Sequence, residues 1–294
     1  MPPSAVTEYA RAKVNLTLHV GALIEDKEDR FYGYHPVDSL VVFADVADKI
    51  TLTPALETSL SISGQLASSL EVAPDNLILK AVERVREKAS IPEFSIHLEK
   101  NIPVSAGLGG GSANAAAVLR ALENFCDLPE TQWHEIALSL GADVPVCRLS
   151  QTAHMAGIGE RVTPWKNSQV LYAILINPLV GVSTGAVFKA FDSQPRSALP
   201  AKQINNHTLL GTALAGTNDL QRVAMMQLPL IDEIIAILSA QKGCELARMS
   251  GSGASCFAIF ETQKCSQMAM QCIIEHYPQW WVVATCFDAK IEGE

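Results

Sequence analysis

The chain lacks the features that would take it out of the ordinary globular enzymes. None of its apolar runs approaches the ~20 residues needed to cross a bilayer. Its seven cysteines (126, 147, 244, 256, 265, 272 and 286) never form a C-x-x-C pair. Scattered and odd in number, they argue against a disulfide framework or a zinc cluster and for reduced thiols. No lysine- or arginine-rich block is present, and the net charge is −9. That balance argues against sequence-independent binding to nucleic acid or to an acidic membrane, while leaving room for a local basic cluster facing an anionic substrate. Met1-Pro2-Pro3-Ser4 carries neither a basic n-region nor an apolar h-region, so no signal peptide is expected and the expected location is the cytoplasm. There is no internal repeat and no low-complexity segment. With 48% hydrophobic and 18% charged residues, the composition excludes disorder as the main theme. At 294 residues the chain exceeds the length at which one core stops growing, so two domains are expected.

What is present is a glycine-rich run, Pro103-Val104-Ser105-Ala106-Gly107-Leu108-Gly109-Gly110-Gly111-Ser112-Ala113-Asn114. Glycine has no Cβ, so such a segment bends sharply and brings backbone N–H groups close to a ligand. Val118, Leu119, Leu122 and Phe125 then recur at helical spacing. A glycine loop running into a helix N-terminus is an anion site, through unpaired N–H groups and the helix dipole. Ser112 is a candidate N-cap, or a hydroxyl aimed at a phosphate or its metal. No Gly-Lys-Ser/Thr closes the loop, Ser112 stands where a dinucleotide fold needs its third glycine, and G-x-S-x-G is incomplete. A phosphate loop of another type remains, beside the simpler reading of a glycine-rich turn.

Along the chain, strict alternation from Ala10 to Val20 predicts a half-buried strand with Arg11, Lys13, Asn15, Thr17 and His19 on its polar face. Val37–Val46, Lys49–Thr53 and Phe94–Leu98 read as further strands, and Pro74-Asp75-Asn76 opens a helix. Thr131–Leu140 is helical up to Gly141, and Ala153–Val162 reads as a hairpin. A mild composition shift at Pro164–Ser168 places the domain boundary there, giving 1–165 and 166–294. Beyond it come a strand at Val170–Ile176, a helix from Ser183-Thr184 to Phe191 and a polar loop from Gln194 to Asn206. Helices near Asn218–Met226 and Leu230–Ala240 precede a second glycine loop, Ser250-Gly251-Ser252-Gly253-Ala254. Strand Cys256–Phe260, a helix around Cys265–His276 and strand Trp281–Cys286 follow. The fold class is α+β with two lobes.

The glycine run resembles motif 2 of the GHMP kinases (galactokinase, homoserine, mevalonate and phosphomevalonate kinases). Ala12-Lys13-Val14-Asn15-Leu16 is similar to their motif 1 and Met249–Ala254 to their motif 3. Gly33-Tyr34-His35-Pro36, Gly107–Asn114 and Gly141-Ala142-Asp143-Val144-Pro145 are similar to the branch whose alcohol substrate carries a cytidine diphosphate, in isoprenoid precursor synthesis. The likeness runs in order from about Tyr9 to Phe260, nearly the whole chain. It implies an N-terminal lobe like ribosomal protein S5 domain 2, a ferredoxin-like C-terminal lobe, and an active site between them. It also implies ATP as phosphoryl donor with Mg²⁺ and a small cytidylyl substrate. A homoserine- or mevalonate-type kinase, or a catalytically silent nucleotide-binding scaffold, stays open at this point.

The resemblance assigns roles residue by residue. Phosphoryl transfer rests on alignment and charge neutralisation. ATP is expected along Pro103, Val104, Ser105, Ala106, Gly107, Leu108, Gly109, Gly110, Gly111, Ser112 and Ala113, with the Leu108–Ser112 amides on its phosphates. Asn76 and Lys100 fall where the family contacts adenine; a helix start and a strand end account for them equally. Asp143 is expected to orient or deprotonate the substrate hydroxyl, with the Lys13 ammonium beside it. A helix N-cap and a solvated strand face are the alternatives. Tyr34 and Phe188 would sandwich the cytosine, His35 would bond its Watson–Crick edge, and Asn15 would add a polar contact. A turn tyrosine and a buried helix phenylalanine are the plainer readings. Ser112 is the candidate Mg²⁺ ligand. Ser105-Ala106 departs from the family, where glycines are common, which implies a stiffer loop. His134, His154 and His276 show no metal pattern and read as structural.

Overall fold

One long strand organises the molecule. The structure, a computed structural model, describes residues 4–69, 76–104, 106–166, 169–194 and 208–288. The first half runs β1 (Val6–Asn15), β2 (His19–Val20), β3 (Val37–Ala55), β4 (Ser59–Ser63), α1 (Leu77–Arg86), β5 (Glu93–Glu99), α2 (Gly110–Leu122), α3 (Glu130–Leu140), α4 (Val144–Leu149), β6 (Ala153–Gly157) and β7 (Arg161–Pro164). The second runs β8 (Leu171–Asn177), α5 (Thr184–Asp192), α6 (Leu209–Ala215), α7 (Gln221–Gln227), α8 (Leu230–Ser239), β9 (Cys244–Met249), β10 (Cys256–Phe260), α9 (Gln263–His276) and β11 (Trp281–Phe287). The backbone path of the sheet is β4-β5-β3-β11-β8-β10-β9, with β1, β2 and β6 also paired to β3. The strands pair antiparallel except β4 with β5. Because Phe287 of β11 pairs with Ala44 of β3, the sheet passes from one lobe to the other without a break.

Among the described residues the apolar side chains form three clusters. The first lies between the β3–β5 sheet and α1–α4. On α1, Ile78, Ala81, Val82 and Val85 are buried at helical spacing, and Asn76 caps the helix by accepting the Ile78 N–H at 2.9 Å. Helix α2 is buried almost all round, and the small side chains Ala115, Ala116 and Ala117, each 0% exposed, let it sit close against β1. The second cluster underlies α5, α7, α8 and α9. The third joins the lobes: Ala12, Val14 and Leu16 pack with Leu175, Phe257, Ile259 and Phe287. Burying a side chain of this size stabilises the fold by ~1.5–3 kcal/mol relative to leaving it exposed.

The structure corrects several expectations. The predicted strand Ala10–Val20 is two, both against β3: the ladder breaks after Asn15, where the Leu16 and Thr17 amides share Leu40 O at 2.8 and 3.4 Å and the Leu18 amide turns to Thr217 O at 2.8 Å, and pairing resumes at His19. Its polar face is not solvated, with Lys13 3%, Asn15 1% and Thr17 4% exposed. A register shift between Arg11 and Lys13 also moves the apolar side, so Ala10 packs in the first cluster and Ala12 and Val14 in the third. The strands expected at Val37–Val46 and Lys49–Thr53 are one 19-residue strand. Helix α7 begins at Gln221, because Asn218 is held by Met249 O and Gly251 O at 2.8 Å each. The expected helix opening at Pro74-Asp75, Ser105, the boundary residues Asn167-Ser168, and the polar loop beyond Gln194 lie outside the described residues.

Candidate active site

Three separate stretches of chain interlock at one place. The Lys13 amide donates to Leu108 O at 2.9 Å, and the Ser255 amide to Ala106 O at 3.1 Å. Between them, the Ser250 hydroxyl accepts the Asn15 amide at 3.2 Å and donates to Gly107 O at 3.0 Å. One buried hydroxyl thus ties the end of β1, the glycine run and the 249–254 loop together. Gly107 is required here: at φ +70° a Cβ would lie 2.4 Å from Ser250 O. Gly251, at φ +57°, faces Gly107 from the other side, a Cβ falling 2.9 Å from its carbonyl.

Helix α2 starts at Gly110 with Gly109 (φ +64°) as its N-cap, so Ser112 is not the cap but lies within the first turn. Glycine takes the cap position because the left-handed conformation is needed there and a Cβ would press on Lys13 Cε at 3.1 Å. The first amides of a helix have no intrahelical acceptor, and the dipole adds partial positive charge. The Lys13 ammonium stands beside this end of the helix. It donates to Asn15 Oδ1 at 2.7 Å and pairs with Asp143 Oδ2 at 3.1 Å.

Asp143 is delivered by a tight corner. Gly141 ends α3 in a conformation reached at φ +157°, and α4 begins three residues later, at Val144, with a proline in its first turn. Asp143 occupies the N-cap position of α4, yet its side chain makes no capping bond. The carboxylate is directed at Lys13 instead, and 34% of the side chain is exposed against 4% for Lys13. A buried cation next to a partly open carboxylate can hold a hydroxyl group and neutralise an anion at the same point. The neighbouring Cys147 thiol is pushed up to about 12 by burial, with Asp143 adding to the effect, so it stays protonated.

A cavity of about 180 Å³ adjoins α2, lined by Asn76, Leu77, Leu98, Lys100, Pro103, Val104, Gly111 and Asn114. Lys100 lines this cavity with its ammonium turned to Asp48. Its ammonium is 2% exposed and paired with Asp48 at 2.6 Å, and it also donates to the Ile102 carbonyl. Burial pushes the Lys100 pKa down, against the pull of Asp48. Asp48 further accepts the amides of Asn101 at 2.6 Å and Ile102 at 2.8 Å, so the pair braces the entry to the glycine run. Asn76 lines the cavity while capping α1. Asn114 was missed by the sequence reading. It is 4% exposed, and its Oδ1 has no partner among the described residues. The available signal was an amide set among the alanines of a buried helix.

The aromatic set is arranged differently from expectation. The His35 ring stacks on Phe188, with centroids 5.2 Å apart and planes at 28°. Its Nδ1 lies 3.0 Å from Gly21 O and its Nε2 3.2 Å from Asp192 Oδ2. Both ring nitrogens thus have a partner, and His35 clips the 21–36 loop to α5. Tyr34 stands 51% exposed beside it. Asn15 is likewise committed: Oδ1 to Lys13 at 2.7 Å and Nδ2 to the Ser39 hydroxyl at 2.7 Å. The described residues contain no group of three or more His, Cys, Asp or Glu able to hold a metal ion. They also contain no helix long and apolar enough to cross a membrane.

Known proteins share this fold and much of this sequence. Residues 76–151 fit the model of the GHMP kinases N terminal domain and residues 196–278 that of the GHMP kinases C terminal domain. A protein of Roseobacter denitrificans is 40% identical over 99% of this chain and 96% of its own length. The chain belongs to the GHMP kinases. The GHMP kinase of Roseobacter denitrificans, like one from Rhodospirillum rubrum that is 41% identical over 95% of this chain and 92% of its own, is named 4-diphosphocytidyl-2-C-methyl-D-erythritol kinase. A crystal structure of 4-(cytidine 5'-diphospho)-2C-methyl-D-erythritol kinase superposes with a TM-score of 0.75 at 28% identity, covering 97% of this chain and 100% of that one. The homoserine kinase of Cytophaga hutchinsonii shares the GHMP kinase fold at a TM-score of 0.68 and 18% identity, covering 97% and 95%. The two-lobed α+β expectation thus stands, with ATP as the nucleotide of such a kinase.

Proposed function

We propose that this GHMP kinase transfers the γ-phosphoryl group of ATP to the 2-hydroxyl of 4-diphosphocytidyl-2-C-methyl-D-erythritol. The observation that carries the reading is the pairing of Lys13 with Asp143 beside the α2 N-terminus, in a chain 40% identical to a relative of that name over nearly its full length. Phosphoryl transfer asks the protein for alignment and for neutralisation of the transferred charge. The amides from Leu108 to Ser112 hold the phosphates, within an ATP-binding stretch from Pro103 to Ala113. The cavity beside Asn76 and Lys100 takes the adenine, Lys100 by its wall and not by its ammonium. Asp143 accepts the substrate hydroxyl's proton or hydrogen bond, and the Lys13 ammonium beside it stabilises the developing alkoxide. Tyr34 offers one aromatic face to the cytosine, and His35 holds Phe188 in place as the other wall of that site.

Mg²⁺ fits the donor set in a limited way. Among the described residues there is no acidic cage, but the Ser112 hydroxyl, part-exposed on the first turn of α2, is a hard oxygen ligand beside the phosphate site. A magnesium ion bound through substrate phosphates needs few protein ligands and would neutralise charge on them. The free cysteines support a cytoplasmic location. Residues 1–165 and 166–294 serve in this reading as the ATP-binding and C-terminal halves. The test is ADP release from ATP with Mg²⁺, comparing the cytidylyl substrate with homoserine and mevalonate. Turnover confined to the first supports the assignment; turnover on either of the others replaces it.

A further inference from the structure

The Lys13–Asp143 pair is held from behind by a chain of hydrogen bonds whose direction is fixed at every link. An ammonium can only donate, so the Asn15 atom 2.7 Å from Lys13 Nζ must be the carbonyl oxygen. The other end of the same amide is then its NH₂, which donates to Ser39 Oγ at 2.7 Å. Ser39 has one hydrogen, and it goes to the Thr17 carbonyl at 2.6 Å, a group that can only accept. The Ser39 lone pairs are thereby turned toward Asn15. Thr17 itself is pinned, because its hydroxyl accepts the Leu40 amide at 3.0 Å. Asn15, Ser39 and Thr17 are 1%, 0% and 4% exposed, so water does not compete for any link. In such a setting an amide turned the wrong way would set an NH₂ against the ammonium and leave buried groups unpaired.

We propose that Ser39 is a positioning residue for phosphoryl transfer, orienting the Asn15 amide so that the Lys13 ammonium is held toward Asp143. Ser39 touches neither substrate nor nucleotide in this account. Its effect on the reacting pair passes through Asn15, and the proposal rests on the reading of Lys13 and Asp143 as that pair. Without the Ser39 hydroxyl, the Asn15 NH₂ loses its acceptor in a buried site, and only the ammonium still holds the amide in place. An amide anchored at one end only tilts from its place, and the Lys13 ammonium moves off the line to Asp143 with it. A positional loss of this kind lowers kcat by about tenfold and leaves the KM for ATP and for the alcohol within about twofold, because the phosphate amides and the cytosine walls are untouched.

The experiment is a double-mutant cycle of Ser39→Ala and Asn15→Ala in the intact enzyme, reading kcat, both KM values and the melting temperature, with Asp143→Asn measured alongside. The expected result is a fall in kcat for Ser39→Ala at unchanged KM, and a double variant no slower than Asn15→Ala alone. Two results overturn the proposal: kcat retained within about twofold in Ser39→Ala, whatever its melting temperature, or full addition of the two losses. Undiminished turnover in Asp143→Asn would instead remove the reading on which the proposal rests, so the two failures are told apart.

Discussion

Asp143→Asn separates a catalytic carboxylate from a structural one. The substitution keeps the shape and removes the charge. Two unit charges at the 3.1 Å separation of Lys13 and Asp143 attract by about 5 kcal/mol at an effective dielectric of about 20. Desolvation of the buried ammonium offsets much of that. With 34% of the Asp143 side chain exposed, water screens the remainder toward the ~1 kcal/mol of an ordinary exposed pair. No cap bond is lost, because the carboxylate makes none to α4. The expected change in stability is therefore small, a shift of a few degrees in melting temperature. Turnover should respond far more strongly. A positioned acid–base group contributes about 10²- to 10⁴-fold, so kcat for ADP release should fall by that range while ATP affinity is kept. A loss of less than about tenfold in kcat would refute the role given to Asp143. A melting temperature lowered as severely as by a core truncation would refute the account of the pair's energetics.

Other perturbations reach different parts of the account. Gly107→Ala forces φ +70° on a residue with a Cβ and drives it to 2.4 Å from Ser250 O; it should cost about 2 kcal/mol or more and weaken ATP binding in calorimetry. Cys147, pushed up to about 12 and buried, should resist alkylation at pH 8 in the folded protein, while the exposed Cys272 is modified first; mass spectrometry of the labelled peptides decides it. The His154 pKa is raised chiefly by its hydrogen bond to Asp38, 3.0 Å away. A raised folded pKa stabilises fully below the unfolded value of 6.5 and is lost as pH rises through the folded value. Denaturant melts at pH 6 and pH 8.5 should therefore show His154→Gln destabilised at the lower pH and level with the parent at the higher.

What the sequence made legible, and what it hid, follows from how each signal arises. The glycine run, Lys13 and Asp143 were visible because backbone approach and charge demand particular residue types at short spacing. The loop-to-helix pattern located α2 but offered Ser112, a residue too far on, as one candidate for its cap, since a side-chain oxygen is the usual cue and a left-handed glycine gives none. Strand β9 was hidden because Glu245, Leu246, Ala247 and Arg248 favour helix, and only its pairing with β10 overrides that preference. The commitment of Lys100 depends on Asp48, a residue far away in sequence. The Ser39 link to Asn15 spans 24 positions and has no local signature. Composition likewise gave no hint that the polar side of β1 is buried, because that follows from α2 and the second lobe closing on opposite faces.

The central claim is the site of phosphorylation, and phosphorus NMR of the product reads it directly. The 2-carbon of the methylerythritol unit bears a methyl group and no hydrogen. A phosphate placed on its oxygen gives a proton-coupled ³¹P resonance that remains a singlet, beside the two diphosphate signals, in amount equal to the ADP formed. That is the predicted spectrum. A new phosphate signal split by carbinol protons would mean transfer to another hydroxyl, and ADP formed without any new organic phosphate would mean hydrolysis; either contradicts the account.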